Sequence, residues 1–151
     1  MNNVLRFYIR NGARCQMAQV QNQVRYFAVV KKYTKTHEWI EMDTDTMLAK
    51  VGITDFAQKQ LGDIVHVEMP EEGDSISQGD TLTSIESVKT AADVYMMVDG
   101  VIEKINDELE NSPETVNASA ESDGWMVEIK VENKEQFDAL MSLEEYKGTL
   151  P

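Results

Sequence analysis

Lys89 stands between two short runs of strand-forming residues, Leu82-Thr83-Ser84-Ile85-Glu86 before it and Ala91 to Val98 after it. Mixed β-branched and apolar residues on both sides predict two strands. The small, polar centre from Glu86 to Asp93 predicts the turn between them. A lysine at the tip of a tight hairpin is held forward on a rigid stem. Its amine can be acylated, and a group so attached can leave one active site and enter another. A solvated turn lysine has the same local features, so position alone does not separate the two readings. The other chemistry-bearing residues form no catalytic set. His37 has neither a nucleophile nor an acid constellation beside it, which leaves it structural or solvated. His66 lies between two valines, and strict alternation places it on the side of Ile64 and Glu68, opposite Val65, Val67 and Met69. Cys15 is the single cysteine, which argues against a disulfide scaffold. Gly73, Gly79 and Gly100 are spaced as corner residues, not as a phosphate-binding loop.

The elements that must carry Lys89 read as short strands with a few short helices. His37–Met42 is a strand candidate, Asp43–Thr46 a turn, and Met47–Gly52 the return strand. Thr54 can cap, and Gly62 can end, a short helix that packs by one face. Ile64–Met69 reads as a strand stopped at Pro70, followed by a brief strand at Ser75–Ser77 between two turns. Asp93–Val98 is the descending strand after Lys89, Asp99-Gly100 a turn, and Val101–Ile105 the next strand. Asn106–Glu110 reads as one helical turn and Ala118–Asp123 as a loop. Gly124–Val131 is the last strand, with Trp125, Val127, Ile129 and Val131 on one core face. Asn133 can cap a helix over Lys134–Met141, with Phe137, Leu140 and Met141 on one face. Ser142 and Glu145 form a capping-box signature for a second helix over Leu143–Lys147.

Length and charge bound the rest. The chain has 151 residues, enough for one domain, and 42% hydrophobic residues, enough for a core. No long uncharged apolar run is present, so no membrane span is expected. Every one of the 27 acidic residues lies at or after Glu38, and residues 1–37 carry only arginines and lysines. The formal net charge is −13; without residues 1–32, which hold six positive charges, it would stand near −19. Such a surface repels phosphates, so no nucleic-acid partner is expected, and it favours partners with basic docking faces. Residues 1–32 read as a transit peptide: spaced arginines, apolar residues between them, no acid. Val4, Leu5 and Ile9 can share a helical face, and Arg25–Ala28 is a candidate processing region. A disordered basic tail is the alternative. The domain is expected over residues 33–151.

From about Tyr33 to Leu150 the chain resembles the lipoyl-carrying H proteins of the glycine cleavage system. The resemblance rests on several motifs in order: Thr36-His37-Glu38-Trp39, Val51–Gln58 (VGITDFAQ), Leu61–Val65 (LGDIV), Glu86-Ser87-Val88-Lys89 followed by Asp93-Val94-Tyr95, and Asp123-Gly124-Trp125. It implies a mainly β fold, the lipoyl/biotinyl-carrier barrel-sandwich hybrid with short flanking helices. It implies lipoic acid in amide linkage on Lys89 and a non-catalytic shuttle role. The aminomethyl group would be taken from glycine decarboxylase (P protein) to aminomethyltransferase (T protein), and reducing equivalents to dihydrolipoamide dehydrogenase (L protein), in the mitochondrial matrix. Glu86, with Ser87 and Val88, would belong to the motif read by the lipoate-attaching enzyme. Thr36 and Glu38 would face the cleft that receives the loaded arm. Asp93 would hold the turn or touch the arm. One departure is Met96-Met97-Val98, where the family has a small residue and then proline before the valine. Both methionines read as core and rim filler.

Two other readings stay open at this level. The chain could be a lipoyl or biotinyl domain of another complex. A biotin acceptor has methionines on both sides of its lysine, whereas Val88 and Thr90 stand here, and a 2-oxo acid dehydrogenase domain lacks the THEW motif and the terminal helices. A non-modified interaction protein of the same fold would dock through its acidic face.

Overall fold

A computed structural model describes residues 28–151. Residues 1–27, which hold Cys15 and most of the expected transit peptide, lie outside the described residues. The fold opens with an antiparallel meander of β1 (Val29–Tyr33), β2 (Glu38–Asp43) and β3 (Leu48–Ile53). β1 begins at Val29, so the folded domain takes in residues 29–32 as well. The carboxylate of Asp43 accepts the amides of Asp45 and Thr46 and closes the β2–β3 turn as expected. β9 (Val127–Val131) pairs with β3, β8 (Gly100–Ile105) with β9, and the two-residue β5 (Ser75–Ile76) with β8, completing a six-stranded sheet. The second sheet has three strands, β4 (Ile64–Val67), β6 (Thr81–Ser87) and β7 (Ala91–Tyr95), with β6 in the middle.

One core lies between the sheets. Ile40, Met42 and Val51 from the large sheet, and Ile85 and Val94 from the small one, are all buried, with Ile102, Ile129 and Phe137 around them. Alternation along β2, β3 and β9 sends these side chains inward, and removal of their apolar surface from water drives the sheets together. Gly52 is required by packing: a Cβ there would stand 2.9 Å from the Trp39 ring. That ring is buried, and its indole N–H donates to Ala120 O at 3.0 Å.

The structure corrects several expectations. A register shift between Ile64 and His66 breaks the alternation of β4, so Val65 and His66 both face solvent while Ile64 and Val67 are buried. The descending strand stops at Tyr95, and Met96, Met97 and Val98 leave the sheet as buried core residues. Among the described residues the Met97 amide donates no hydrogen bond. A proline there would forfeit no backbone hydrogen bond. The expected loop at Ala118 is part of a helix, α3 (Thr115–Ser119), which follows α2 (Glu108–Asn111). Trp125 precedes β9, is half-buried and packs outside the main core with Tyr33, Trp39 and Tyr146; Met126 is the fully buried residue there. The helix after Asn133 is shorter than expected, α4 (Lys134–Asp138), and Met141 pairs its backbone with Tyr33 instead of covering the main core. α1 (Asp55–Leu61) has both expected ends, capped by Thr54 and closed by Gly62. The capping box of Ser142 and Glu145 starts α5 (Leu143–Lys147).

Candidate functional site

The β6–β7 hairpin is antiparallel with Glu86 opposite Ala91 and Ser84 opposite Asp93, so Val88, Lys89 and Thr90 form the tip. Ser87 organises it. Its hydroxyl donates to Thr90 O at 3.0 Å and accepts the amides of Lys89 and Thr90 at 3.2 and 3.1 Å. That uses its full donor and acceptor capacity. The Val88 amide donates to Asp63 O at 2.9 Å and anchors the tip to the start of β4. Lys89 is exposed, and so is Val88 beside it.

The Lys89 side chain runs over Gly62. A Cβ on Gly62 would lie 3.2 Å from Lys89 Cε and 3.5 Å from Nζ. Gly62 has φ 80° and ψ −157°, a region open essentially to glycine. It therefore ends α1 and leaves room for the lysine at once. Asn117 fixes this junction from α3. Its side-chain amide donates to Gly62 O and Gln58 Oε1, both at 2.9 Å, and its oxygen accepts the Ile64 amide.

From Gly62 a cleft of about 360 Å³ opens along α1. Phe56, Ala57 and Leu61 of α1 form one wall, and Ile85, Ala92 and Val94 of the small sheet the other. Thr36, Glu38 and Asp93 supply its polar groups. Glu38 is 3% exposed, yet no lysine or arginine pairs with it among the described residues. Its carboxylate accepts from the hydroxyls of Thr34 and Thr36, the latter at 2.6 Å, and from the Tyr95 amide at 3.4 Å. With no basic side chain on it, this buried carboxylate offers its acceptor oxygens to a cation or an N–H donor that enters the cleft. His37 also lines the cleft, packed on Phe56 and bonded to Tyr146. At the start of α1, hydrogen bonding from Lys59 holds the Asp55 carboxyl below the usual range.

The structure thus brings Thr36, Glu38 and Asp93 to one cleft with Lys89 at its α1 end. Glu86 remains exposed on the strand leading to the tip. Phe56, Leu61 and Gly62 entered the sequence reading only as helix, cap and motif residues and Thr34 not at all, yet Phe56 and Leu61 line this cleft, Thr34 holds Glu38 and Gly62 lies under Lys89. Among the described residues no cluster of His, Cys, Asp or Glu is arranged to hold a metal, and no helix is long and apolar enough to cross a membrane.

Two sheets enclosing one core, with an exposed lysine on the tip of the hairpin, define a carrier domain of the lipoyl/biotinyl barrel-sandwich class. The family model described as "Glycine cleavage H-protein" matches residues 31–151. The chain is 50% identical over 115 residues to the "Probable glycine cleavage system H protein 1, mitochondrial" of Dictyostelium discoideum, covering 76% of this chain and 78% of that protein. It is 46% identical over 115 residues to the glycine cleavage system H protein of Staphylococcus epidermidis, covering 76% and 90%. The crystal structure of a glycine cleavage system H protein from Mycobacterium marinum superposes with a TM-score of 0.69 at 31% identity, covering 78% of this chain and 94% of that one. The chain belongs to the glycine cleavage system H protein family. It is a carrier component and not an enzyme in its own right, as its family is.

Proposed function

We propose that Lys89 bears lipoate in amide linkage and that the chain carries the aminomethyl group of glycine from glycine decarboxylase to aminomethyltransferase. Electrons would pass on to dihydrolipoamide dehydrogenase. The observation that carries the reading is an exposed hairpin lysine lying over Gly62, next to Leu61 of a cleft that also holds a buried carboxylate with no lysine or arginine partner among the described residues. The residues present fit the group. The tip offers a free amine on a fixed turn, Gly62 leaves space beside it, and the cleft walls are apolar. When bound, the lipoyl group supplies a disulfide that takes up a one-carbon amine unit and two electrons.

The chain's own residues do the rest. Ser87 fixes the turn so that Lys89 faces the attaching enzyme in one geometry, with Glu86 exposed beside it for recognition. α1 is about 10 Å long at its helical rise, and a lysine extended through an amide by the lipoyl chain exceeds that length. An arm laid along α1 in the cleft would bring its far end toward Thr36 and Glu38. An aminomethyl amine of ordinary basicity is cationic near neutral pH, and Glu38 supplies the opposite charge. Asp93 adds a second carboxylate at the cleft border. The apolar walls exclude water from the sheltered arm. A tether on a folded stem also raises the arm's effective concentration at each partner.

The mitochondrial matrix is the proposed location, supported by the acid-free, arginine-bearing leader and by the printed name of the Dictyostelium relative. Because β1 starts at Val29, the leader would be cut upstream of that strand, within Arg25–Ala28. The shuttle reading is tested with glycine labelled at its methylene carbon. Label should move onto the lipoylated chain in the presence of glycine decarboxylase and leave only when aminomethyltransferase and tetrahydrofolate are added. Label that never appears on the chain overturns the reading.

A further inference from the structure

His37 is one of two non-glycine residues with positive φ among the described residues, at 72°. An L-residue holds this left-handed conformation only where its surroundings offset the cost. His37 sits between Thr36 and Glu38, so its backbone sets the direction of both neighbouring side chains, two of the cleft's polar groups. Its carbonyl accepts the Thr54 amide at 2.9 Å, its ring lies 4.7 Å from that of Phe56, and its Nδ1 is 2.8 Å from the Tyr146 hydroxyl. Tyr146 comes from α5, far away in sequence. It is buried, and its ring stacks on Tyr33 at 4.9 Å with 8° between the planes.

The polar chain has one arrangement that satisfies every group. Thr54 Oγ1 already accepts the Ala57 amide as the α1 cap, so its own proton goes to Tyr146 Oη, 2.8 Å away. The Tyr146 proton then goes to His37 Nδ1, which leaves the imidazole proton on Nε2. Burial raises Tyr146 above the ordinary tyrosine range, so the hydroxyl keeps the proton it donates.

We propose that Tyr146 is a positioning residue of the carrier cleft: it holds His37 in the left-handed conformation that turns the flanking Thr36 and Glu38 side chains toward the arm. The C-terminal helix α5 is then part of the site, although Tyr146 itself does not line the cleft. The proposal rests on the reading of the cleft as the shelter of the loaded arm.

The test uses Tyr146→Phe, which keeps the stack on Tyr33 and removes only the hydroxyl, and His37→Gly, which adopts positive φ freely and removes the imidazole. Two readouts are taken. On the unlipoylated protein, ¹⁵N NMR should show His37 Nδ1 as a hydrogen-bonded acceptor, and Tyr146→Phe should shift that resonance to the position of an acceptor nitrogen without this bond. On the lipoylated, aminomethyl-loaded protein, water cleaves the carbon–sulfur bond to give the thiol, formaldehyde and ammonium. Tyr146→Phe should release ammonium about five-fold faster than wild type, the scale of one lost hydrogen bond, with lipoate attachment unchanged, and should add no acceleration in the His37→Gly background, where positive φ needs no support. A His37 Nδ1 resonance that does not move in Tyr146→Phe overturns the proposal. So does a release rate equal to wild type in Tyr146→Phe, or a further acceleration by Tyr146→Phe in the His37→Gly background. If the wild-type protein itself releases ammonium as fast as loaded lipoamide free in solution, the sheltering reading fails first, and the proposal falls with it.

Discussion

Lys89 carries the account at the scale of the residue, and its neighbours show why the amine itself is what matters. Lys89→Arg keeps the positive charge on a tip whose turn is built by Ser87 and the Asp63 carbonyl. The variant should fold like wild type by circular dichroism and accept no lipoate, because a guanidinium offers no neutral amine at accessible pH. Glu38 is the second residue on which the account depends. Glu38→Gln preserves the shape and the contacts with Thr34 and Thr36 but removes the charge facing the cleft. Ammonium release from the loaded arm should rise about ten-fold, the scale of a charge-assisted hydrogen bond, while the thermal midpoint moves little. A release rate unchanged from wild type would remove Glu38 from the site.

Among the elements, the junction of α1 and β4 decides where the hairpin lysine lies. Gly62→Ala places a Cβ in a conformation reserved for glycine and 3.2 Å from Lys89 Cε. It should cost about 1–3 kcal/mol of stability, read from denaturant unfolding, and shift the ¹³C resonance of Lys89 Cε as the side chain is pushed aside. The two ends of α1 were legible in the sequence, because Thr54 and Gly62 are local signals, as was the capping box of α5. The hairpin was legible too, from strand-forming residues around a polar centre. What stayed hidden depends on contacts distant in sequence. The bulge in β4 is set by pairing with β6, and no pattern in Ile64–Val67 announces it. Trp125 continues the alternation of β9, yet the chain turns before it. Thr36 and Glu38 were assigned to a cleft by family resemblance alone. The seat of Lys89 on Gly62 and the bond from Tyr146 to His37 join segments 27 and 109 residues apart, beyond any local periodicity.

Over the whole molecule, the first strand and the last helix close around one cluster of tyrosines and tryptophan. Tyr33 donates to Glu121 Oε2 at 3.1 Å and stacks on Tyr146, while Lys31 contacts the same carboxylate and lies 4.2 Å from the Trp39 ring centre. Burial, with Glu121 close by, pushes the Tyr33 hydroxyl well above its ordinary range. The sign follows from the proton count. The folded state retains a proton that the unfolded chain loses near pH 10, so this stabilisation is complete below about pH 10. It is lost as pH rises toward the raised folded value. Tyr33→Phe should therefore flatten the alkaline limb of the stability curve while costing about 1 kcal/mol at neutral pH for the missing hydrogen bond. The same closure brings β1 into the domain, so a chain cut after Val29 would lose strand pairing with β2.

The most direct test of the carrier role is the intact mass of the protein from its native source, followed by sequencing of the peptide that contains Lys89. The account predicts a gain equal to lipoic acid less one water, located on Lys89, with an amino terminus no later than Val29. A biotin-sized gain, or an unmodified Lys89 in a cell whose other lipoyl proteins are modified, would contradict it.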